Sequence, residues 1–470
     1  MNFIKDFLLV LYEEVNMKSN FETSLSKNLE KKFKFLDNGT NLKTELIAGL
    51  TTFATMSYVL ATIPNILEGA GLNRASILTA LIIFIIICSV AMALYTNRPF
   101  ALAPGLSSVA IIGTTLPQMN MPVEVAFGLV FLSGVIFVII SFVGIREIVV
   151  KAIPASVKIS ISAGIGLYIS LIGLKMAGVV IANPKNNTLN LGDMTTAKSI
   201  LFAIGFLLIL VLEARKIKGS LILAILMVTI IGIPMGVTKV PTNLVNIPTG
   251  ISDVSFKIDI LGALKPEYFP WIFTFFVPDF FGTMGIILGI ANRAGWLDKD
   301  GNMQDIDRCF KVDSLSTVAG SFFCMPVMTT YLESASGVED GGRTGMTALV
   351  TSFLFALTLL FTPIALMVPG VATAPVLTII GFQMLSSMKS VNYNDKTESL
   401  PAFIAVAMTI FTFNIATGLS LSVLSYIILK VFSGKGKEVP KAMYGLALVL
   451  LYLSLIHISE PTRLGMSSYA

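Results

Sequence analysis

Residues 329–347 read "TTYLESASGVEDGGRTGMT", and Glu333 in this stretch sits between apolar chain on both sides, from Gly320 upstream and from beyond Arg343 downstream. A carboxylate there raises the question of solvent, which composition answers. Of 470 residues, 54% are hydrophobic and 13% charged, and the mean hydropathy is +0.83. Water-soluble domains carry about 25% charge, so the chain reads as a polytopic membrane protein. Its apolar runs are near span length and do not alternate, so backbone polar groups in the hydrocarbon must be satisfied by helices rather than by a barrel. The expected fold class is all-α.

Apolar runs between polar breaks predict spans near 44–65, 76–96, 100–118, 124–144, 155–178, 198–213 and 219–237, then near 269–291, 311–324, 327–338, 344–368, 372–388, 400–415 and 417–432. That is about fourteen transmembrane segments in two sets of seven. The implied division is an N-terminal segment 1–43, a first repeat 44–237, an outer linker 238–268, a second repeat 269–432 and a C-terminal segment 433–452. An odd number of spans per half makes the second half enter from the opposite side, as an inverted repeat requires. Arg98, Arg146, Lys151, Lys158, Arg215, Lys218, Arg293, Arg308, Lys311, Arg343 and Lys396 all fall on one side, and the basic excess of short loops makes that side cytoplasmic, with the N-terminus. Asn186 and Pro248 are then outside.

Two segments at matched positions, the third and tenth, are short and rich in Pro, Gly, Ser and Thr: "NRPFALAPGLSSVAIIGTT" and "CMPVMTTYLESASG". Unwound backbone survives in lipid only where it lines a protein cavity, so broken spans at matched positions point to a midplane site. The ordinary alternative is a pair of kinked helices packed through small residues. Glu333 lies in the second segment, and Asp279 lies in "WIFTFFVPDFFGTMGIILGIA", a span with no other charge. A carboxylate at membrane depth costs at least ~2.5 kcal/mol and so marks a cavity or a pathway. With no Lys or Arg in either span, each acid must hold a proton, meet a cation or accept hydrogen bonds from a ligand. The competing readings are a surface acid at a loop end for Glu333 and helix-start chemistry after Pro278 for Asp279.

Cys88, Cys309 and Cys324 have neither CxxC spacing nor evident partners, so they read as packing residues rather than metal ligands. "GGRTG" from Gly341 lacks phosphate-loop spacing and reads as a tight turn. Leu453–Arg463, "LSLIHISEPTR", resembles a translated sequencing adapter, so residues 453–470, with the sole histidine, His457, are expected to be an artefact. Without a usable histidine, an HExxH motif or paired catalytic aspartates, an enzyme is not expected. No cofactor, metal or nucleic-acid partner is expected either; the partners are a small molecule and lipid, and a homodimer is compatible with the sequence.

"FATMSYVLATIPNIL", "NRPFALAPG", "IPASVKISISAGIGLYISLIGLKMAG", "FTFFVPDFFGTMG" and "TTYLESASGVEDGGRTGMTALV" together resemble the nucleobase:cation symporter-2 family, in its branch of adenine, guanine and hypoxanthine permeases, from Asn41 to about Tyr452. The resemblance implies core and gate domains, broken third and tenth spans, and a purine site whose acids are Asp279 and Glu333, both also candidates for proton coupling. Ser107, Ser108, Val109, Thr329 and Thr330 fall in the implied site, with Phe280 and Tyr331 as candidate stacking rings. Three positions depart from the branch: Ser107 stands for a glycine, Val109 for an asparagine and Gly282 for an acid. A site missing a hydrogen-bond partner discriminates differently, so the exact base is left open. The leading expectation is proton-driven purine uptake across a bacterial-type plasma membrane. The alternative is an anion transporter of related fold, which would instead want a Lys or Arg near the midplane.

Overall fold

The computed structural model describes residues 29–144, 154–182, 189–246, 248–298, 303–412 and 415–441, with 443–445, 447, 448 and 451 beyond them. Arg146, Lys151, Asn186, His457 and the tail 453–470 lie outside the described residues. The helices are α1 (Leu42–Met56), α2 (Val59–Leu67) and α3 (Arg74–Thr96), then the strand β1 (Leu102–Pro104) and α4 (Leu106–Ala110). They continue as α5 (Val123–Val143), α6 (Ala155–Met176), α7 (Ala197–Ala214), α8 (Ser220–Gly232), α9 (Phe269–Ala294) and α10 (Ile306–Ser321). The strand β2 (Met328–Thr330) leads to α11 (Ser334–Glu339), followed by α12 (Gly345–Thr358), α13 (Gly370–Leu385), α14 (Lys396–Phe411) and α15 (Ile415–Phe432). Among the described residues, eight helices are long and apolar enough to cross a membrane. Leu207, Phe353 and Phe403 are each more than 60% exposed, which suits side chains facing lipid rather than water.

The helices sort into two packed groups: α1–α5 with α9–α12, and α6–α8 with α13–α15. In the second group α6 and α13 touch through glycine. A β-carbon on Gly166 would lie 2.5 Å from that of Met384, and one on Gly173 would lie 2.6 Å from the Ala374 carbonyl. Backbones this close gain dispersion contacts that larger residues forbid.

The expected helix 100–118 is instead β1, α4 and a π turn over Ile111–Thr115, and the expected helix 327–338 is β2 and α11. The chain is otherwise helical, apart from a small hairpin of Val180–Ala182 with Leu189–Leu191. β1 and β2 pair antiparallel, Leu102 opposite Thr330, Ala103 opposite Thr329 and Pro104 opposite Met328. The ladder continues through Tyr331 N–H to Ala101 O at 2.9 Å and Gly105 N–H to Val327 O at 2.8 Å. Prolines 104 and 326 supply no N–H, which favours extended chain over helix at both places.

A two-stranded ribbon leaves outer backbone groups unpaired, and buried unpaired groups are costly. Hydroxyls from the preceding helices meet them. Ser89 of α3 accepts from Leu102 N–H at 2.9 Å and donates to Leu102 O at 3.4 Å. Thr317 of α10 accepts from Met328 N–H at 3.1 Å and donates to Met328 O at 2.9 Å. The same device on the helix before each strand is what an inverted repeat would produce.

The start of α12 is held by an acid from the other end of the chain. Glu45 of α1, fully buried, accepts from the backbone N–H of Arg343 (2.8 Å), Thr344 (3.2 Å) and Thr347 (3.0 Å) and from the Thr347 hydroxyl (2.6 Å). The unpaired N–H groups of a helix start favour negative charge. Glu45→Gln keeps the shape but presents an amide to these donors. We expect it to destabilise the protein by about 1–3 kcal/mol, read as a lower unfolding temperature in detergent; an unchanged temperature would remove Glu45 from the account.

Candidate functional site

The crossing of β1 with β2 and the middle of α9 enclose a hollow lined by Gly105, Ser107, Ser108, Thr274, Phe275, Pro278, Asp279, Val327 and Thr329. Its cavity volume is about 30 Å³, above the ~10–15 Å³ that one water needs on the same measure, and with the open space at its mouth it reaches about 270 Å³. Every lining residue comes from the group containing α1–α5 and α9–α12. No Lys or Arg is among them.

Asp279 decides the chemistry of the hollow. It is 4% exposed, and neither carboxylate oxygen has a hydrogen-bond partner. Buried polar groups are nearly always paired, and a buried ionised carboxylate left unpaired is expensive. The side chain therefore waits for a proton or for donors from outside the protein. A carboxylate with both oxygens free can take two parallel N–H donors from one planar edge.

Thr329 connects the hollow to a second buried acid. Its hydroxyl is 2.7 Å from that of Thr283, which donates to Asp313 Oδ2 at 3.0 Å, while the Thr330 hydroxyl donates to Asp313 Oδ1 at 3.2 Å. Because the single Thr283 hydrogen goes to Asp313, Thr283 accepts from Thr329. A run of hydroxyls thus joins a cavity wall to a fully buried carboxylate.

Glu333 is not among the residues that line the hollow; it holds the N-cap position of α11, where the helix dipole favours a carboxylate. Its Oε1 accepts from the Tyr58 hydroxyl at 2.7 Å. Tyr58 is buried at the break between α1 and α2.

Of the residues expected at the site, Asp279, Ser107, Ser108 and Thr329 line the hollow. Thr330 is turned to Asp313, and Val109 is fully buried and does not line it. Neither candidate ring is among the residues that line the hollow. Phe280 packs among Phe137, Phe276 and Phe310 at centroid distances of 5.3, 5.5 and 5.5 Å. Tyr331 donates its hydroxyl to Pro104 O at 2.6 Å and so ties the strands together. The ring at the hollow is Phe275, one helical turn before Asp279. Sequence reasoning missed Asp313, Thr283, Tyr58 and Phe275. Asp313 carried a usable signal, an acid in an apolar run, but it stood at the start of the expected helix 311–324, where acids are ordinary; α10 begins at Ile306 and places it two turns inside.

Residues 43–424 match the model of a family described as Permease family. A putative permease of Methanocaldococcus jannaschii is 38% identical over 93% of this chain and 100% of its own length. The adenine permease AdeP of Escherichia coli is 34% identical over 92% of this chain and 96% of its own. The guanine/hypoxanthine permease PbuO of Bacillus subtilis is 33% identical over 87% and 96%. Among solved structures, the transmembrane domain of the cyanobacterium bicarbonate transporter BicA superposes with a TM-score of 0.59 at 14% identity, over 81% of this chain and 97% of that one. The murine Slc26a9 anion transporter in its inward-facing state gives 0.60 at 13%, over 83% and 69%. These two likenesses are of fold alone.

Proposed function

This chain belongs to the nucleobase:cation symporter-2 family of permeases, in its purine permease branch, and we propose that it carries a purine base together with a proton across a bacterial-type plasma membrane. It is a transporter and not an enzyme. The observation that carries the proposal is Asp279, with two free carboxylate oxygens facing a hollow among small hydroxyl residues.

In this reading α1–α5 with α9–α12 form the core domain and α6–α8 with α13–α15 the gate, in fourteen crossings related as seven and seven. β1–α4 and β2–α11 are the broken third and tenth spans, and the N-terminus is cytoplasmic. A purine edge donates to Asp279 and its face lies against Phe275; Ser107 offers its hydroxyl hydrogen to a ring nitrogen or carbonyl, while Ser108 and Thr329, whose hydrogens go to Gly105 O and to Thr283, offer oxygens that accept from its N–H groups. Glu333 carries the proton, with Tyr58 holding the carboxylate in place. Anion transport is the weaker reading. The likeness to anion transporters is of fold alone, and the hollow offers a carboxylate and no cation.

The test is uptake into proteoliposomes of adenine, hypoxanthine, guanine, xanthine and uracil under an inward proton gradient. At least one purine should accumulate, and a protonophore should abolish the accumulation. If none of the five accumulates, the purine reading fails; accumulation that survives the protonophore removes the proton.

Gly282 bears on which base is chosen. A β-carbon there would meet nothing within 4 Å, so a side chain can start from this position without a clash at its first atom. Gly282→Asp should change purine affinity by about 2- to 13-fold, the worth of one hydrogen bond. Unchanged affinities across the five bases would separate position 282 from specificity.

A further inference from the structure

We propose that the face of α9 made by Gly282, Gly285 and Gly289 is the floor of a water-filled track along which the base passes between the Asp279 hollow and the C-terminal end of α9. This rests on the reading of Asp279 as the acid that receives the base. At 3.6 residues per turn, Phe275, Pro278 and Asp279, which line the hollow, lie on the same face as the three glycines that follow them. From Asp279 to Gly289 the rise is about 15 Å.

Glycine weakens a helix relative to alanine and usually repays that by letting backbones touch. Elsewhere in this molecule it does so. A β-carbon on Gly166 or Gly173 would press on α13, and one on Gly134 of α5 would come 2.9 Å from Val318 of α10. On Gly282, Gly285 and Gly289 a β-carbon would meet nothing within 4 Å. Gly285 and Gly289 are exposed. A helix face turned to lipid gains nothing from three glycines, since large apolar side chains serve there, as Leu207, Phe353 and Phe403 do on other helices.

Two further observations give the open face a direction and a wall. Its upper end is the hollow with the unpartnered Asp279 carboxylate. Beside it, Lys158 of the gate helix α6 lies 4.7 Å over the Phe281 ring, so this side of α9 looks toward the gate group and not outward. Its far end opens beside the Arg293–Glu339 pair, 2.6 Å apart and about half exposed. A planar, uncharged base needs width and little else from such a surface, and peptide backbone without side chains supplies it.

The experiment places single cysteines at Gly285 and Gly289, since the native Cys88, Cys309 and Cys324 are all buried, with Phe403→Cys as a lipid-facing control. Right-side-out and inside-out vesicles are treated with a membrane-impermeant methanethiosulfonate, with and without saturating adenine. Modification needs water and thiolate, so both track positions should react at least about 10-fold faster than position 403, from the cytoplasmic side. Adenine should slow the reaction, and Gly289→Leu should lower the maximal rate of uptake while leaving adenine binding in detergent within about 3-fold of wild type. Reaction no faster than the control from either side overturns the track, as does wild-type uptake by Gly289→Leu. Fast one-sided labelling in a protein that takes up no purine would keep the track and remove the purine.

Discussion

Asp279→Asn should reduce purine uptake by at least about 100-fold, because two hydrogen bonds to a charged acceptor are worth roughly 3–6 kcal/mol. The same substitution should leave the unfolding temperature of the ligand-free protein unchanged or raised. Both oxygens of Asp279 lack a protein partner, so the fold loses no contact and exchanges a buried ionisable carboxylate for a neutral amide, which costs less to bury. Glu45 gives the contrast within one molecule: it is equally buried, but its carboxylate accepts four hydrogen bonds, and weakening it costs stability. Stability given up at a binding site and not elsewhere is the usual sign of a functional residue. Uptake near wild type in Asp279→Asn, or a clear drop in its unfolding temperature, would assign Asp279 to packing.

Glu333→Gln should abolish accumulation against a gradient while leaving exchange of labelled for unlabelled base in place. The glutamine carbonyl can still accept from the Tyr58 hydroxyl, now 2.7 Å from Oε1, so the geometry of the α1–α2 break and the start of α11 is kept. Only the titratable proton is removed. The accumulation ratio should fall to about one, since a carrier without ion coupling equilibrates its substrate. Loss of both accumulation and exchange would make Glu333 a binding residue, and retention of both would return it to an ordinary loop acid.

The reach of sequence reasoning follows from which constraints are one-dimensional. Span positions were legible because the bilayer forces long apolar runs, and α3, α5, α9 and α13 begin and end within a few residues of the expected limits. The two irregular segments were legible because Pro and Gly punctuate the apolar chain locally. What they become, an antiparallel ribbon joined across more than two hundred residues, depends on hydroxyls from Ser89 and Thr317, which look unremarkable in their own helices. Asp279 stood out because nothing nearby in sequence could neutralise it. Asp313 was passed over because its partners Thr283 and Thr330 come from other elements. Which ring lines the hollow was not legible for a related reason: Phe275, Phe276, Phe280 and Phe281 are equivalent by composition, and only helix phase separates the face at the hollow from the face packed against Phe137 and Phe310.

The central claim, that a base and a proton move together through the Asp279 site, is tested most directly by proton flux. Proteoliposomes containing the protein and a trapped pH-sensitive dye, with no gradient imposed, are mixed with external adenine or hypoxanthine. The lumen should acidify on addition of a transported base, in proportion to the base taken up, with no response in vesicles carrying Asp279→Asn or Glu333→Gln. Entry of base without acidification would contradict the coupling, and acidification that persists in both variants would contradict the site.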